Sequence, residues 1–232
     1  MPTNTADQGL TIPAGADAAN LPANLTTLTG QIEARLVKQY VNEADRTARN
    51  AAPTEGQLSW LQNLDRFEYW NPTGTPAWWE LLPLYARKTA ETQTANATTT
   101  FLSDTHLLLP VRASAVYALE GFFWWDSGTT ADIKWQWLGP AGFAMPIWRV
   151  GGTLASVAGN TGSYDSQISN GATSPIALAG AGIGLMSSGL LQGIVTTGGT
   201  AGNLQLQWTQ NASEAVNTRM KTNSWMRLTR IG

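Results

Sequence analysis

The chain has 232 residues, a net charge of −2, no cysteine, and 13% charged residues against a usual share of about 25%. These figures exclude disulfides, cysteine nucleophiles and thiolate metal sites. No segment is strongly basic, so the clustered Lys and Arg of a nucleic-acid groove are missing as well.

Thr, Asn, Gln, Ser and Gly carry the polarity instead, which suits exposed sheets and subunit interfaces, where each buried charge is costly. No apolar run approaches the roughly 20 residues that span a bilayer, and no basic-then-apolar signal pattern opens the chain. No membrane insertion is expected. Tryptophan is the outlier, with eleven in the chain, many of them paired or alternating.

Residues 1–30 read as an extended N-terminal arm, with Pro2, Pro13 and Pro22 interrupting helix. Alone, such a segment cannot bury enough surface to order itself, so it is either a disordered terminus or an arm that docks on a larger body. Residues 31–52 read as one short helix. Ile32, Leu36, Tyr40, Ala44 and Ala48 repeat every four positions beside Val37 and Val41, and Pro53 stops the run. Its narrow apolar stripe fits a trimeric coiled coil, with Leu36 and Tyr40 as interface candidates, or a helix lying on its own domain.

Residues 53–85 read as a β-hairpin unit. Leu58 and Trp60 alternate, Asn63-Leu64-Asp65 turns the chain, and Phe67 and Tyr69 return before a second turn at Asn71-Pro72-Thr73-Gly74. A lone hairpin is marginal and needs a neighbour to pack on.

The remainder, 86–232, opens with a Thr-rich stretch and continues as strands and turns. Tyr117, Leu119, Phe123 and Trp125 share one parity, while Phe122 and Trp124 load the other face. Ile133, Trp135 and Trp137 alternate with polar residues, as do Leu204, Leu206 and Trp208. Strands of this kind between Gly-rich turns predict a β-sandwich. A strand apolar on both faces needs two covers, a second sheet and a neighbouring subunit. Tyr117, Phe123, Trp125, Trp135, Trp137, Leu206 and Trp208 are therefore candidates for core or subunit contact. Trp78, Trp79 and Trp148 are less constrained and are candidate ligand contacts.

Leu107-Leu108-Leu109-Pro110-Val111, Ala115-Val116-Tyr117 and Asp132-Ile133-Lys134-Trp135 resemble the opening strands of a head domain of bacteriophage fibre and minor tail proteins. The stretches Thr200 to Asn211 and Ser224-Trp225-Met226-Arg227-Leu228 resemble its end, and Pro53-Thr54-Glu55-Gly56 with Asp65 to Trp70 is similar to a small hairpin of phage virion proteins. Such heads look like jelly rolls of the tumour-necrosis-factor and complement type. The resemblance implies a mainly β virion protein, a homotrimer anchored by its N-terminal arm to capsid or tail, with a jelly-roll head displayed toward host-surface glycan. Long fibres of this kind carry an extended shaft, and none is visible here, which favours a short spike or a capsid decoration protein.

Catalytic signatures are absent. His106 is the only histidine, with Ser103 and Asp104 nearby but no Gly-x-Ser-x-Gly elbow, so a polar loop is expected there. Asp104, Asp126 and Asp132 lack calcium-loop spacing. Glu120, Asp126 and Asp132 sit among tryptophans, yet no spacing singles out a glycosidase pair. The Gly180-Ala181-Gly182-Ile183-Gly184 run lacks the following helix of a nucleotide loop and reads as tight turns. The expectation is a non-enzymatic chain without cofactor or metal.

Overall fold

A computed structural model describes residues 36–73, 77–153, 164–169 and 171–232, together with Thr26 and two short paired segments, β1 (Thr3–Asn4) and β2 (Thr11–Ile12). The rest of the expected arm, and residues 31–35 of the expected helix, lie outside the described residues. The chain divides into two units, Met1–Leu82 and Pro83–Gly232.

In the first unit β3 (Lys38–Tyr40), β4 (Leu58–Leu61), β5 (Arg66–Asn71) and β6 (Ala77–Glu80) form one sheet in that order, with β3 parallel to β4 and the other pairs antiparallel. The helix is shorter than expected: α1 covers Glu43–Arg49 only. Asn42 is its N-cap and accepts from the Asp45 N–H at 2.9 Å, so the chain before it is extended and not helical. The four-residue repeat of Leu36, Tyr40, Ala44 and Ala48 is therefore no helix face. Pairing of Lys38–Tyr40 with Ser59–Leu61 overrides the helical periodicity. Tyr40 is buried with Leu61, whereas Leu36 is 57% exposed.

The interior of this unit is unusually polar. Arg46 of α1 is 3% exposed, lies over the Trp78 ring at 4.5 Å, and hydrogen-bonds Ser59 and Glu68. Arg66 reaches Glu68 at 2.7 Å, Glu80 at 3.4 Å and Glu43 at 3.5 Å. Two guanidiniums thus share the fully buried Glu68, and the pairing keeps each charge compensated.

The second unit begins with β7 (Leu84–Arg87), β8 (Thr92–Gln93), β9 (Leu102–Val111), β10 (Val116–Asp126) and β11 (Ile133–Leu138). It continues through β12 (Ala144–Thr153), β13 (Tyr164–Ser169), β14 (Ile176–Leu178), β15 (Ser187–Thr196), β16 (Gly202–Gln210), β17 (Arg219–Met220) and β18 (Trp225–Arg230). The larger sheet runs β13-β12-β15-β10, and β10 then pairs along its other edge with β18, which pairs β7, and with β17, which pairs β8. The smaller sheet runs β14-β11-β16-β9.

With the β12–β13 hairpin and the short β8 and β17 set aside, the chain weaves β7-β18-β10-β15 against β9-β16-β11-β14. That is the connectivity of a jelly roll, two interlocked Greek keys. The fold class expected from sequence is the one observed, with the β12–β13 hairpin as an addition at the edge of the larger sheet.

Alternation fixes which residues enter the core. Tyr117, Leu119, Phe123 and Trp125 of β10 face Leu107 and Leu109 of β9, Ile133, Trp135 and Trp137 of β11, and Leu204, Leu206 and Trp208 of β16 within one buried cluster. Phe123 and Trp125 each meet Trp135 edge-on, with ring centroids 5.1 and 5.2 Å apart. Indole N–H groups of Trp125 and Trp148 are satisfied by the carbonyls of Ala179 and Gly171 at 2.9 and 3.0 Å. Gly180 packs so closely that an added Cβ would meet the carbonyl oxygens of Ser127 and Gly128 at 2.4 Å, the close packing expected of that glycine run.

Candidate assembly face and buried polar cluster

Strand register places one residue from each of five strands of the larger sheet in a single outward row. Arg149 (β12) sits beside Gln192 (β15), Gln192 beside Glu120 (β10), Glu120 beside Arg227 (β18), and Arg227 beside Tyr85 (β7). The row is hydrogen-bonded in two segments, Arg149–Gln192 and Glu120–Arg227–Tyr85. Arg149 Nε donates to Gln192 Oε1 at 3.0 Å, Arg227 Nε to Glu120 Oε2 at 2.6 Å, and Arg227 Nη1 to the Tyr85 hydroxyl oxygen at 3.4 Å. The Glu120 hydrogen bond, and after it that of Tyr85, raises the Arg227 pKa further above its ordinary value.

Apolar rows lie on both sides. On one, Leu190, Phe122 and Trp225 are cross-strand neighbours, with Phe122 edge-on to Trp124 at 4.7 Å. On the other, Ile147, Ile194 and Ala118 are neighbours and line a shallow depression of about 340 Å³ with Ile168. Leu190 is 53% exposed, Ile147 51% and Ile168 65%. Large aliphatic side chains this exposed, grouped on one sheet face, make it a candidate interaction surface.

Of the residues singled out from sequence, Tyr117, Phe123, Trp125, Trp135, Trp137, Leu206 and Trp208 all lie in the core of the second unit. Trp148, expected as a ligand contact, is fully buried and its indole N–H donates to the Gly171 carbonyl, so its ring is not displayed at the surface. Trp78 is also covered, by Arg46. Only Trp79 remains partly exposed; it shares an uncharged face of the first unit's sheet with Tyr69, 6.3 Å away, and with Trp60 and Phe67. The assembly face itself was legible only at Phe122 and Trp124, whose parity opposes the core. Leu190, Ile147, Arg149 and Trp225 carry no local signal that places them beside one another.

Asp104 belongs to a buried polar cluster on the smaller sheet, to which the half-buried His106 contributes its backbone N–H. Lys88 Nζ donates to Asp104 Oδ2 at 2.6 Å, with both side chains fully buried. Trp208 Nε1 donates to the same oxygen at 3.0 Å, while the backbone N–H groups of His106 and Leu107 donate to Oδ1 at 2.9 and 3.1 Å. Burial alone would push this carboxyl up; the bonds from Lys88, His106 and Trp208 and the Lys88 charge outweigh it and hold it below the usual carboxylate range. His106 Nδ1 is 3.8 Å from Asp104 Oδ1, and Ser103 Oγ accepts from Gln207 Nε2 at 2.9 Å, so the three neighbours in sequence are not arranged as a nucleophilic triad.

The other carboxylates singled out above are engaged elsewhere. Asp126 is paired with Arg219 and Lys221 and accepts from the Gly184 N–H at 3.0 Å. Asp132 accepts from the Gly180 N–H at 3.0 Å. Among the described residues no group of three or more His, Cys, Asp or Glu stands close enough to hold a metal ion.

Asp132 yields a prediction. Burial first, and the nearby Glu214 charge second, raise its pKa against the opposing Gly180 hydrogen bond. A raised folded-state value means that the carboxyl favours folding at low pH and that this contribution is lost as pH rises through that value. Asp132→Asn keeps the acceptor for Gly180 and tolerates the positive φ of 51° at this position. The variant is expected to melt above the wild type at pH 7, with the gap closing below about pH 4, where the unfolded carboxyl is also protonated. Thermal unfolding across pH measures it; a gap that does not change with pH contradicts the assignment.

The chain matches no protein-family model and no curated protein in sequence. Among solved structures it is similar to the infectious bursal disease virus VP2 subviral particle, at 12% identity over 78% of this chain and 50% of that one, with a TM-score of 0.20. The structure of the Gx strain of that virus matches at 11% identity over 69% of this chain and 45% of that one, with a TM-score of 0.19. The chain spans about half the length of these proteins. TM-scores this low leave the fold to be read from the chain's own strand order.

Proposed function

We propose that this chain is a virion structural subunit that acts by assembling and binding, without a catalytic step. The observation that carries the reading is the outward face of the larger sheet, where Leu190, Phe122, Trp225, Ile147 and Ile194 flank an internally hydrogen-bonded polar row. Fully burying a side chain such as Leu or Ile gains roughly 1.5–3 kcal/mol, so leaving several half-exposed on one face favours a partner. The Glu120–Arg227 pair and its bond to Tyr85 are satisfied within the row, so a cover that also offers Arg149 an acceptor can close over it. A second copy of the chain offers such a cover.

Three copies, an arm that anchors to capsid or tail, and a head turned toward host-surface glycan follow from the resemblance to phage fibre heads, with which the jelly-roll strand order agrees. In this reading the uncharged face bearing Trp60, Phe67, Tyr69 and Trp79 is the candidate glycan contact, because aromatic rings stack on sugars.

Sedimentation velocity of the purified chain is the first test. A species of three protomers is expected, and a stable monomer at micromolar concentration overturns the reading. Deleting residues 1–25 is expected to abolish incorporation into particles while leaving a folded head. Incorporation at normal occupancy would remove the anchoring role. Added head protein should compete with infection if the head binds host; its failure to do so assigns the chain to capsid decoration.

A further inference from the structure

We propose that Lys88 and Asp104 condense to an intramolecular amide that covalently joins the two sheets of the jelly roll. This rests on the buried cluster and is independent of the assembly reading. Lys88 directly follows β7 of the larger sheet and is held there by reciprocal backbone hydrogen bonds, Lys88 N to Ser224 O at 2.8 Å and Asn223 N to Lys88 O at 2.9 Å. Asp104 lies on β9 of the smaller sheet. Their side chains meet at 2.6 Å, both at 0% exposure, so the amine and the carboxyl are held together and dry for the lifetime of the fold. Reacting groups held in near-attack geometry reach effective molarities on the order of 10⁵ M or more.

The surroundings suit acyl chemistry at the Asp104 carboxyl carbon. Oδ1 faces two backbone N–H donors, from His106 at 2.9 Å and Leu107 at 3.1 Å, the distances of an oxyanion hole. Oδ2 lies against Lys88 Nζ and the Trp208 indole N–H. In the first step a proton passes from the Lys88 ammonium to Oδ2, giving a neutral amine and a neutral acid; desolvation of the ion pair favours this transfer, and the hydrogen bonds to Asp104 oppose it, so the step is an uphill one that precedes attack. Nζ then attacks Cγ, and the negative charge that builds on Oδ1 is received by the two N–H groups. A second proton moves from Nζ to Oδ2, the C–O bond breaks, and Oδ2 leaves as water while the Oδ1 carbonyl re-forms. One C–N bond is made, one C–O bond is broken and one water is released, with no change in oxidation state and no co-reactant.

The link would cross-brace a head that has no cysteine and hence no disulfide. It closes the segment between positions 88 and 104, which includes β8, and ties together the first two strands of the jelly roll.

The intact mass of the full-length, denatured protein is the test. The wild type is expected to be lighter than its sequence mass by one water. Proteolysis is expected to yield a branched peptide that joins the segments bearing Lys88 and Asp104. Lys88→Arg, which keeps the positive charge but offers no amine, is expected at its full sequence mass. A wild-type mass equal to that of the sequence, or a water loss that maps to any other pair of residues, overturns the proposal and leaves Lys88 and Asp104 as a buried ion pair.

Discussion

Replacing Phe122 and Leu190 together by aspartate is expected to convert the assembled protein into a folded monomer. The two residues are cross-strand neighbours on β10 and β15, and both point away from the sandwich core. Leu190 is already half-exposed and Phe122 partly so, so within a single chain the new carboxylates stay in water, and the fold loses the Phe122–Trp124 ring contact and gains one solvated cross-strand like-charge pair, a cost of about 1 kcal/mol. Between two apposed sheets Arg227 is already engaged by Glu120, so Arg149 can compensate at most one of the two new carboxylates, and the other, uncompensated, costs several kcal/mol. A penalty of only about 4 kcal/mol weakens association roughly a thousandfold. Sedimentation velocity should show the loss of the larger species while circular dichroism and the melting transition of the head stay near those of the wild type. A variant that retains the wild-type mass places the interface elsewhere.

The second large effect concerns the first unit. Glu68→Ala removes the carboxylate shared by Arg46 and Arg66, leaving a guanidinium that is 3% exposed beneath the helix without its main partner. Breaking a buried ion pair from one side costs about 3–5 kcal/mol. Among the described residues the buried apolar content of this unit is small, chiefly Tyr40, Leu61 and Trp78, so a loss of that size is expected to melt the sheet of β3 to β6 as a whole. The head keeps its own buried cluster, drawn entirely from residues after Pro83. Limited proteolysis is therefore expected to cut the variant between residues 36 and 82 and to leave a resistant fragment ending at the C-terminus. Equal resistance of both units in the variant would mean that Glu68 is dispensable. Glu68→Gln, which keeps an acceptor for Arg46, is expected to fall between the two.

The difference between these units explains what the sequence revealed. In the head, long strands alternate strongly, and the parity of Tyr117, Phe123 and Trp125 against Phe122 and Trp124 states directly which side is core and which is outward. The same holds for Trp135 and Trp137, and for Leu206 and Trp208. In the first unit the elements are short and the interior mixes charge with aromatic rings, so periodicity misleads. Leu36, Tyr40 and Ala44 happen to recur every four positions, yet a cap at Asn42 and a parallel pairing to β4 place Tyr40 on a strand and leave Leu36 exposed. Trp148 misled for a related reason. It lies on β12, in a hairpin added at the edge of the sheet, and its burial depends on packing beside Trp137, 6.1 Å away, which nothing near it in the chain announces.

By itself the sequence determined that this is a cysteine-free, weakly charged, mainly β chain whose head is a two-sheet sandwich, because alternation of side chains along a strand is a local property that burial enforces residue by residue. Only the tertiary structure decided that Arg149, Gln192, Glu120, Arg227 and Tyr85 form one row, and that Lys88 meets Asp104. Tyr85 and Arg227 are 142 positions apart, and which strand lies beside which, and in what register, is settled by the packing of two whole sheets.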